Sequence, residues 1–490
     1  MKEIIISYEK YKDKTLMEAL AAEGFGTQGS CGGMGACGKC SVIANGRSVL
    51  ACQHKVTEDL TVVVSEAGED VSLKESATEL PENLQLEPAE EGTYGIALDL
   101  GTTTVVVMFW DLSKGQLVDV KAVTNPQKHY GADVMSRIGF AMRAPWNLTR
   151  LQSSLINEIN RVISEFMMVH DIKLGQIRKI VAVGNTTMSH LFLGEDVSGL
   201  GSHPFAPAFT GGVTTTAKMV GIAAHEEAEV YVGPNMAGHV GSDITAGILA
   251  SGYMESGSSA KRLFLDIGTN GEIFLTDGRQ AWCCSAAAGP AFEGSALHQG
   301  MRAADGAICR VDLLDGTMEI ETIGNVPAKG ICGSGIIDAL AVLLKMGKMD
   351  HFGTIEENFV LAVETEDLPA VVITQQDVRE VQMAKAAISA GCKTLLEGAA
   401  LSLDDLDEIG IAGTFGNAVR VESGVTIGLL PKTDAERFRS LGNAAGVGAS
   451  MLLLSKVCRE DAERIASSVK HVELAASESF QKNYIEAMNF

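Results

Sequence analysis

The chain has 490 residues, a formal charge of −23, 46% hydrophobic residues and only 5% aromatics. The apolar fraction supplies real cores and excludes a disordered chain. The acidic balance excludes nonspecific nucleic-acid binding, which needs a basic surface. No segment approaches the ~20 apolar residues of a membrane span, and MKEIIISYEK lacks the apolar core of a secretory signal, so a cytoplasmic location is expected.

Residues 1–65 read as one small unit. KEIIISYE has strand character, TLMEALAAEGF has helical spacing and stops at a glycine, and LTVVVSE closes the unit as a strand. Between them lies CGGMGACGKC, with Cys31, Cys37 and Cys40, followed by Cys52. In a cytosolic chain such a cluster points to metal or redox chemistry before disulfides. Zinc and iron–sulfur centres both suit four thiolates. The glycines Gly32, Gly33, Gly35 and Gly38 favour the second, because backbone N–H groups can then approach bridging sulfides, which a zinc site does not contain. With its strand–helix lead-in, the region resembles a 2Fe–2S ferredoxin of β-grasp fold. Cys283, Cys284, Cys309, Cys332, Cys392 and Cys458 lack this order and read as buried small apolar residues.

Residues 66–92 are acidic, contain two prolines and read as an extended, self-repelling linker. From Tyr94 the pattern is α/β and repeats. YGIALDLGTTTVVVMFWD and RLFLDIGTNGEIFLTDGR are each strand, glycine turn, strand. Each is followed by a turn, a third strand-like run and, later, a long helix. That helix leads in both halves to an apolar strand ending in glycine, KIVAVGNTT and EIGIAGTFGN. Two similar halves imply duplication and a cleft between lobes, placed at about 93–255 and 256–490 of a 93–490 nucleotide domain. The strand-ending glycines Gly184 and Gly413 lie further apart than Asp99 and Asp266, so the second half carries extra residues.

The turns carry chemistry. Asp99 ends a strand before Gly101, Thr102, Thr103 and Thr104. Asp266 does the same before Gly268, Thr269, Asn270, Gly271 and Glu272. A tight glycine turn aims N–H groups at an anion, threonine hydroxyls add donors, and an aspartate can hold Mg2+ beside phosphates. Paired turns in a duplicated chain resemble the acetate kinase–hexokinase–actin superfamily, with two ribonuclease-H-like lobes closing on ATP. For the adenosine side, Gly333, Ser334 and Gly335 open an apolar helix, and Gly413, Thr414, Phe415, Gly416 and Asn417 end a strand in a glycine loop. SLGNAAGVGAS reads as close helix packing. Asp243, in GSDITAG, reads either as a helix-entry cap or as a carboxylate positioning water or Mg2+.

The strings NPQKHYGADVMSRI, VAVGNTTMSHLFLG, NMAGHVGSDITAGILA, LDIGTNGE and GICGSGIIDAL, with the head, resemble the reductive activators of corrinoid enzymes over nearly the whole chain. The resemblance implies ATP-dependent reduction of cob(II)amide to cob(I)amide on a corrinoid protein, an upstream low-potential reductant and a dimer. It carries Cys31, Cys37, Cys40 and Cys52 over as cluster ligands. Asp99, Thr102, Thr103, Asp266, Thr269, Asn270 and Gly271 carry over as nucleotide and metal contacts. Many relatives insert a middle domain after the head; here only the acidic linker is expected there. Two rival activities are a nucleotide-gated electron donor to another low-potential enzyme and a small-molecule kinase that carries a cluster. His190 reads as an interior histidine satisfied by backbone.

Overall fold

The computed structural model describes residues 2–23, 40–64, 80–294, 296–366, 368–413 and 418–490. In the head, β1 (Lys2–Ile6) leads through α1 (Tyr8–Tyr11) into α2 (Leu16–Ala22). The strands β2 (Ser41–Ala44), β3 (Arg47–Leu50) and β4 (Leu60–Val64) complete an antiparallel sheet in the order β1-β4-β2-β3. Asn45 and Gly46 both take positive φ and close the β2–β3 hairpin, the use to which Asn-Gly is best suited. Leu16, Met17, Ala19 and Leu20 of α2 bury against Ile6, Leu60 and Val62, and Cys40 and Cys52 belong to the same core.

The next stretch begins with three antiparallel strands, β5 (Tyr94–Leu100), β6 (Thr104–Asp111) and β7 (Gln116–Thr124). Two helices follow. α3 (Val134–Arg143) starts in a capping box between Asp133 and Ser136, and α4 (Pro145–His170) has its proline at the first turn. Leu151, Leu155, Ile159, Val162 and Phe166 form the buried stripe of α4. The chain then returns as β8 (Ile177–Gly184), parallel to β5, and continues through α5 (Thr186–Leu193), β9 (Val213–Thr216), α6 (Ala217–Val220) and β10 (Glu229–Val232). The sheet order is β7-β6-β5-β8-β10-β9.

After α7 (Ser242–Ser251) the pattern recurs. Strands β11 (Arg262–Ile267), β12 (Gly271–Thr276) and β13 (Ala281–Ala286) are antiparallel. The extra residues expected in this half form β14 (Ala307–Leu314), β15 (Thr317–Thr322), β16 (Gly330–Ile331), α8 (Gly333–Lys345), β17 (Phe359–Ala362) and β18 (Val371–Ile373). The long helix α9 (Gln375–Gly398) precedes β19 (Glu408–Ala412), which runs parallel to β11. Then come α10 (Val421–Thr426), β20 (Phe438–Gly442), α11 (Ala444–Leu454), α12 (Lys456–Ser468), β21 (Lys470–His471) and α13 (Glu478–Glu486). In the order β20-β19-β11-β12-β13-β21, the five strands β13-β12-β11-β19-β20 repeat β7-β6-β5-β8-β10 of the first sheet, while the sixth strands differ: β9 borders β10 and β21 borders β13. The register repeats as well: Asp99 lies opposite Val183 just before Gly184, and Asp266 lies opposite Ala412 just before Gly413.

By packing, the described residues form two compact units, one of 2–64, 88–210 and 214–232, the other of 80–87, 211–213 and 233–490. The lobe boundary expected near 255 therefore differs from the packing boundary. Ile244 and Ile248 of α7 bury with Phe264, Phe274 and Ala444, which draws this helix into the second unit. Residues 80–92 contain no helix or strand, and the Glu87 N–H donates to the Leu454 carbonyl at 2.8 Å. No described helix is long and apolar enough to cross a membrane.

Gly448 of SLGNAAGVGAS serves helix contact, as expected. A Cβ on Gly448 would lie 2.1 Å from the Ala246 carbonyl oxygen of α7. Gly448→Ala is expected to cost about 1–3 kcal/mol through overpacking, read as a lower urea midpoint at unchanged slope.

Candidate functional site

Cys40 enters β2, and Cys52 sits in the turn after β3. The hairpin brings them together, with the Ala51 N–H donating to the Cys40 carbonyl at 2.9 Å. Both side chains are buried and their sulfurs lie 3.2 Å apart. That is well beyond the ~2.05 Å of a disulfide and is a separation that two ligands of one centre can take. The donor chemistry thus fits a thiolate-held centre for these two positions. Cys31 and Cys37 lie outside the described residues, among which no group of three or more metal-ligating side chains converges.

In the first repeat, the turn after β5 is held from beneath. Asn125 Nδ2 donates to the Gly101 carbonyl at 2.9 Å, and the Asn125 N–H donates to the Thr103 carbonyl at 2.9 Å. Arg137 Nη2 donates to the Thr102 carbonyl. Arg137 is fully buried on α3, and donates also to the Gly131 carbonyl (3.0 Å) and to Gln127 Oε1 (3.2 Å). Asn185 caps α5 through Met188 N–H and donates its amide to the Thr102 hydroxyl at 2.9 Å. Sequence reasoning did not single out Asn125, Arg137 or Asn185 as site residues. A signal was present: Arg137 shares a helix face with Val134 and Ile138, and a charged residue on an apolar stripe is a rare placement.

The second repeat is built differently. Asp266 and Glu272 are direct cross-strand partners on β11 and β12, and Glu272 is in turn opposite Ser285 of β13. They share one sheet face, so the carboxyls are crowded. Burial pushes the Asp266 carboxyl up to about 6. Glu272 is held well above the usual carboxylate range by burial first, then by the charges of Asp243 and Asp266. Asp243 lies in the first turn of α7, whose N-cap is Gly241, so Asp243 is not itself the N-cap residue. The charges of Asp243 and Asp266 reach Glu272, but among the described residues the three carboxyls do not converge as a metal-ligating group. The Thr269 hydroxyl donates to the Glu293 carboxylate, and the Gly268 N–H is taken by the Asn270 carbonyl at 2.9 Å. Gly413 has φ +85°, and a Cβ there would lie 2.5 Å from Asp266 Oδ1, so this corner of the site requires glycine. In the first repeat the row through Asp99 holds Val106 and Ala122 instead of acids.

Other sequence candidates fare differently. Gly333, Ser334 and Gly335 are buried; the Ser334 hydroxyl donates to the Cys309 carbonyl at 2.9 Å, and a Cβ on Gly335 would meet the Ile308 carbonyl at 2.1 Å. Ser334 and Gly335 thereby pack the start of α8 onto β14. Thr414, Phe415, Gly416 and Asn417 lie outside the described residues. His190 is interior as expected, its Nδ1 bonded to the Thr186 carbonyl (2.7 Å) and its Nε2 accepting from the Ala208 N–H (3.0 Å). Burial pushes the Cys283 and Cys392 thiols up to about 12, which makes them unreactive packing residues.

Residues 260–490 match the C-terminal domain of RACo, the ASKHA domain, and residues 94–256 match the RACo middle region. The matched middle region coincides with the stretch expected as the first lobe, about 93–255, and begins after the stretch expected as a linker. The sequence is 35% identical to the corrinoid activation enzyme RamQ of Eubacterium limosum, over 81% of this chain and 70% of that protein. It is 28% identical to the [Co(II) methylated amine-specific corrinoid protein] reductase of Methanosarcina barkeri, over 81% of this chain and 77% of that one. A solved reductive activator for corrinoid, iron–sulfur protein superposes with a TM-score of 0.76 at 30% identity, covering 97% of this chain and 95% of its own.

Proposed function

The chain belongs to the RACo family, and on that premise we propose that it reactivates a corrinoid protein by ATP-dependent reduction of cob(II)amide to cob(I)amide. The observation that carries the reading is the union, in one chain, of a buried pair of thiols 3.2 Å apart with a five-strand repeat that sets an aspartate beside a glycine turn twice. The relatives are named for acting on corrinoid proteins, which supports the partner class.

In this reading the head is ferredoxin-like, and Cys40 and Cys52, with Cys31 and Cys37, hold a 2Fe–2S cluster. When bound, that group supplies one-electron transfer at low potential. The head core keeps water from the two described thiols. Thr102 and Thr103 offer hydroxyls and N–H groups to the nucleotide. In the second unit Asp266 and Asp243 would hold Mg2+, with Glu272 opposite Asp266 on β12. The nucleotide need not touch the cobalt: an affinity for the corrinoid partner that differs between its oxidation states, and that changes with nucleotide occupancy, couples the two sites. The protein takes electrons from a low-potential reductant, acts in the cytoplasm and pairs as a homodimer.

The test is spectroscopic. Reduced, anaerobically purified protein is mixed with ATP, Mg2+ and a corrinoid protein in the cob(II)amide state. Cob(I)amide absorption should grow only when ATP is present. Growth without ATP, or ATP turnover driven by a small metabolite alone, would overturn the reading.

A further inference from the structure

We propose that Arg137 is a positioning residue for nucleotide, the buried counter-charge that makes the turn after β5 a receiver of polyphosphate. The inference rests on the nucleotide reading above and deepens it. A peptide plane directs the carbonyl of one residue opposite to the N–H of the next. The carbonyls of Gly101 and Thr102 are drawn inward by Asn125 and Arg137. The N–H groups of Thr102 and Thr103 are thereby turned to the other side of the turn, as in an anion-receiving nest. Asn185 fixes the Thr102 hydroxyl in the same array.

The charge points the same way. A guanidinium stays protonated, and Arg137 is wholly buried, where its field is screened less than at a surface. It lies one carbonyl below the turn. The rows through the two aspartates differ as well: Asp266 faces Glu272 in the second repeat, where Asp99 faces Val106 in the first. The duplicated turns thus differ in charge, and the first is the one suited to the phosphate chain.

The experiment measures equilibrium binding of a non-hydrolysable ATP analogue, ADP, AMP and inorganic tripolyphosphate to the full-length protein, with fold checked by circular dichroism. Arg137→Gln should weaken the ATP analogue and tripolyphosphate by ~10-fold or more, ADP less and AMP least. Arg137→Lys should restore most of that loss, because it keeps the charge. The loss should shrink as salt rises. A purely structural arginine would weaken all four ligands alike and show no rescue by lysine, and that result would overturn the proposal. If Arg137→Gln does not fold, Asn185→Ala, which releases only the Thr102 hydroxyl and one cap, carries the test: a loss graded by phosphate number supports the proposal, an ungraded one sinks it. Failure of the wild type to bind any of the four ligands would instead remove the nucleotide reading itself.

Discussion

Cys52→Ser is expected to abolish electron delivery while leaving nucleotide binding in place. Loss of an outer-shell partner already costs a metal site ~10–100-fold, and removal of a ligand costs more. The position of Cys52 explains the separation of effects. It lies in the head core with Cys40, packed among Leu16, Ala19 and Leu20. Serine keeps the volume but gives a hard alkoxide donor with a much higher pKa than a thiol. Cys40→Ser should behave identically, since the sulfurs converge at 3.2 Å. Cys283→Ser serves as the control, because that thiol is buried in the second unit and held protonated. The measurements are iron and acid-labile sulfide per chain, ATP-analogue affinity and the rate of cob(I)amide formation. Full iron content and undiminished transfer in Cys52→Ser would refute the assignment. A wild-type protein that binds one zinc and no iron would do the same.

Asp266→Asn should have two effects of opposite sign. It removes a carboxylate from the candidate cation site, so stabilisation by Mg2+ and nucleotide together should vanish. It should also make the ligand-free protein more stable near neutral pH. The Asp266 carboxyl has a folded-state value of about 6, above its ordinary 3.8, because burial disfavours the charge. A group raised in this way contributes stability that is fully present below its unfolded value and is lost as pH rises through the folded one. The contribution lost between about pH 4 and pH 6.5 is of order 3 kcal/mol. Asparagine never ionises and keeps it. The melting temperatures of the ligand-free variant and wild type should therefore diverge as pH rises through 6, the variant melting higher, and converge toward pH 4. A variant that melts lower at pH 7.5, or that retains its Mg2+-nucleotide stabilisation, contradicts the assignment. The expected gain reflects a common pattern, in which charges crowded for binding are held at a cost to the empty fold.

Much of this architecture was legible before any fold was known, because it is local. Alternating and continuous apolar runs marked β5, β6, β8, β11, β12 and β19, and 3.6-residue spacing marked α4 and α9. Glycine after an aspartate marked both turns, and their recurrence revealed the duplication that the two sheets share. Cysteine spacing marked the head. What tertiary structure decided is who faces whom across long stretches of chain. Helical spacing alone does not reveal that Arg137 lies under Thr102 rather than in solvent. The row of Asp266, Glu272 and Ser285 exists only once β11, β12 and β13 pair in register. Ser334 looks ligand-facing in sequence and turns to the Cys309 carbonyl because α8 packs against β14. Local propensity acts over a few residues, whereas burial and partner choice are settled by contacts between elements. For that reason the kinds of residue at the site could be read from the chain, and the sign of charge at each turn could not.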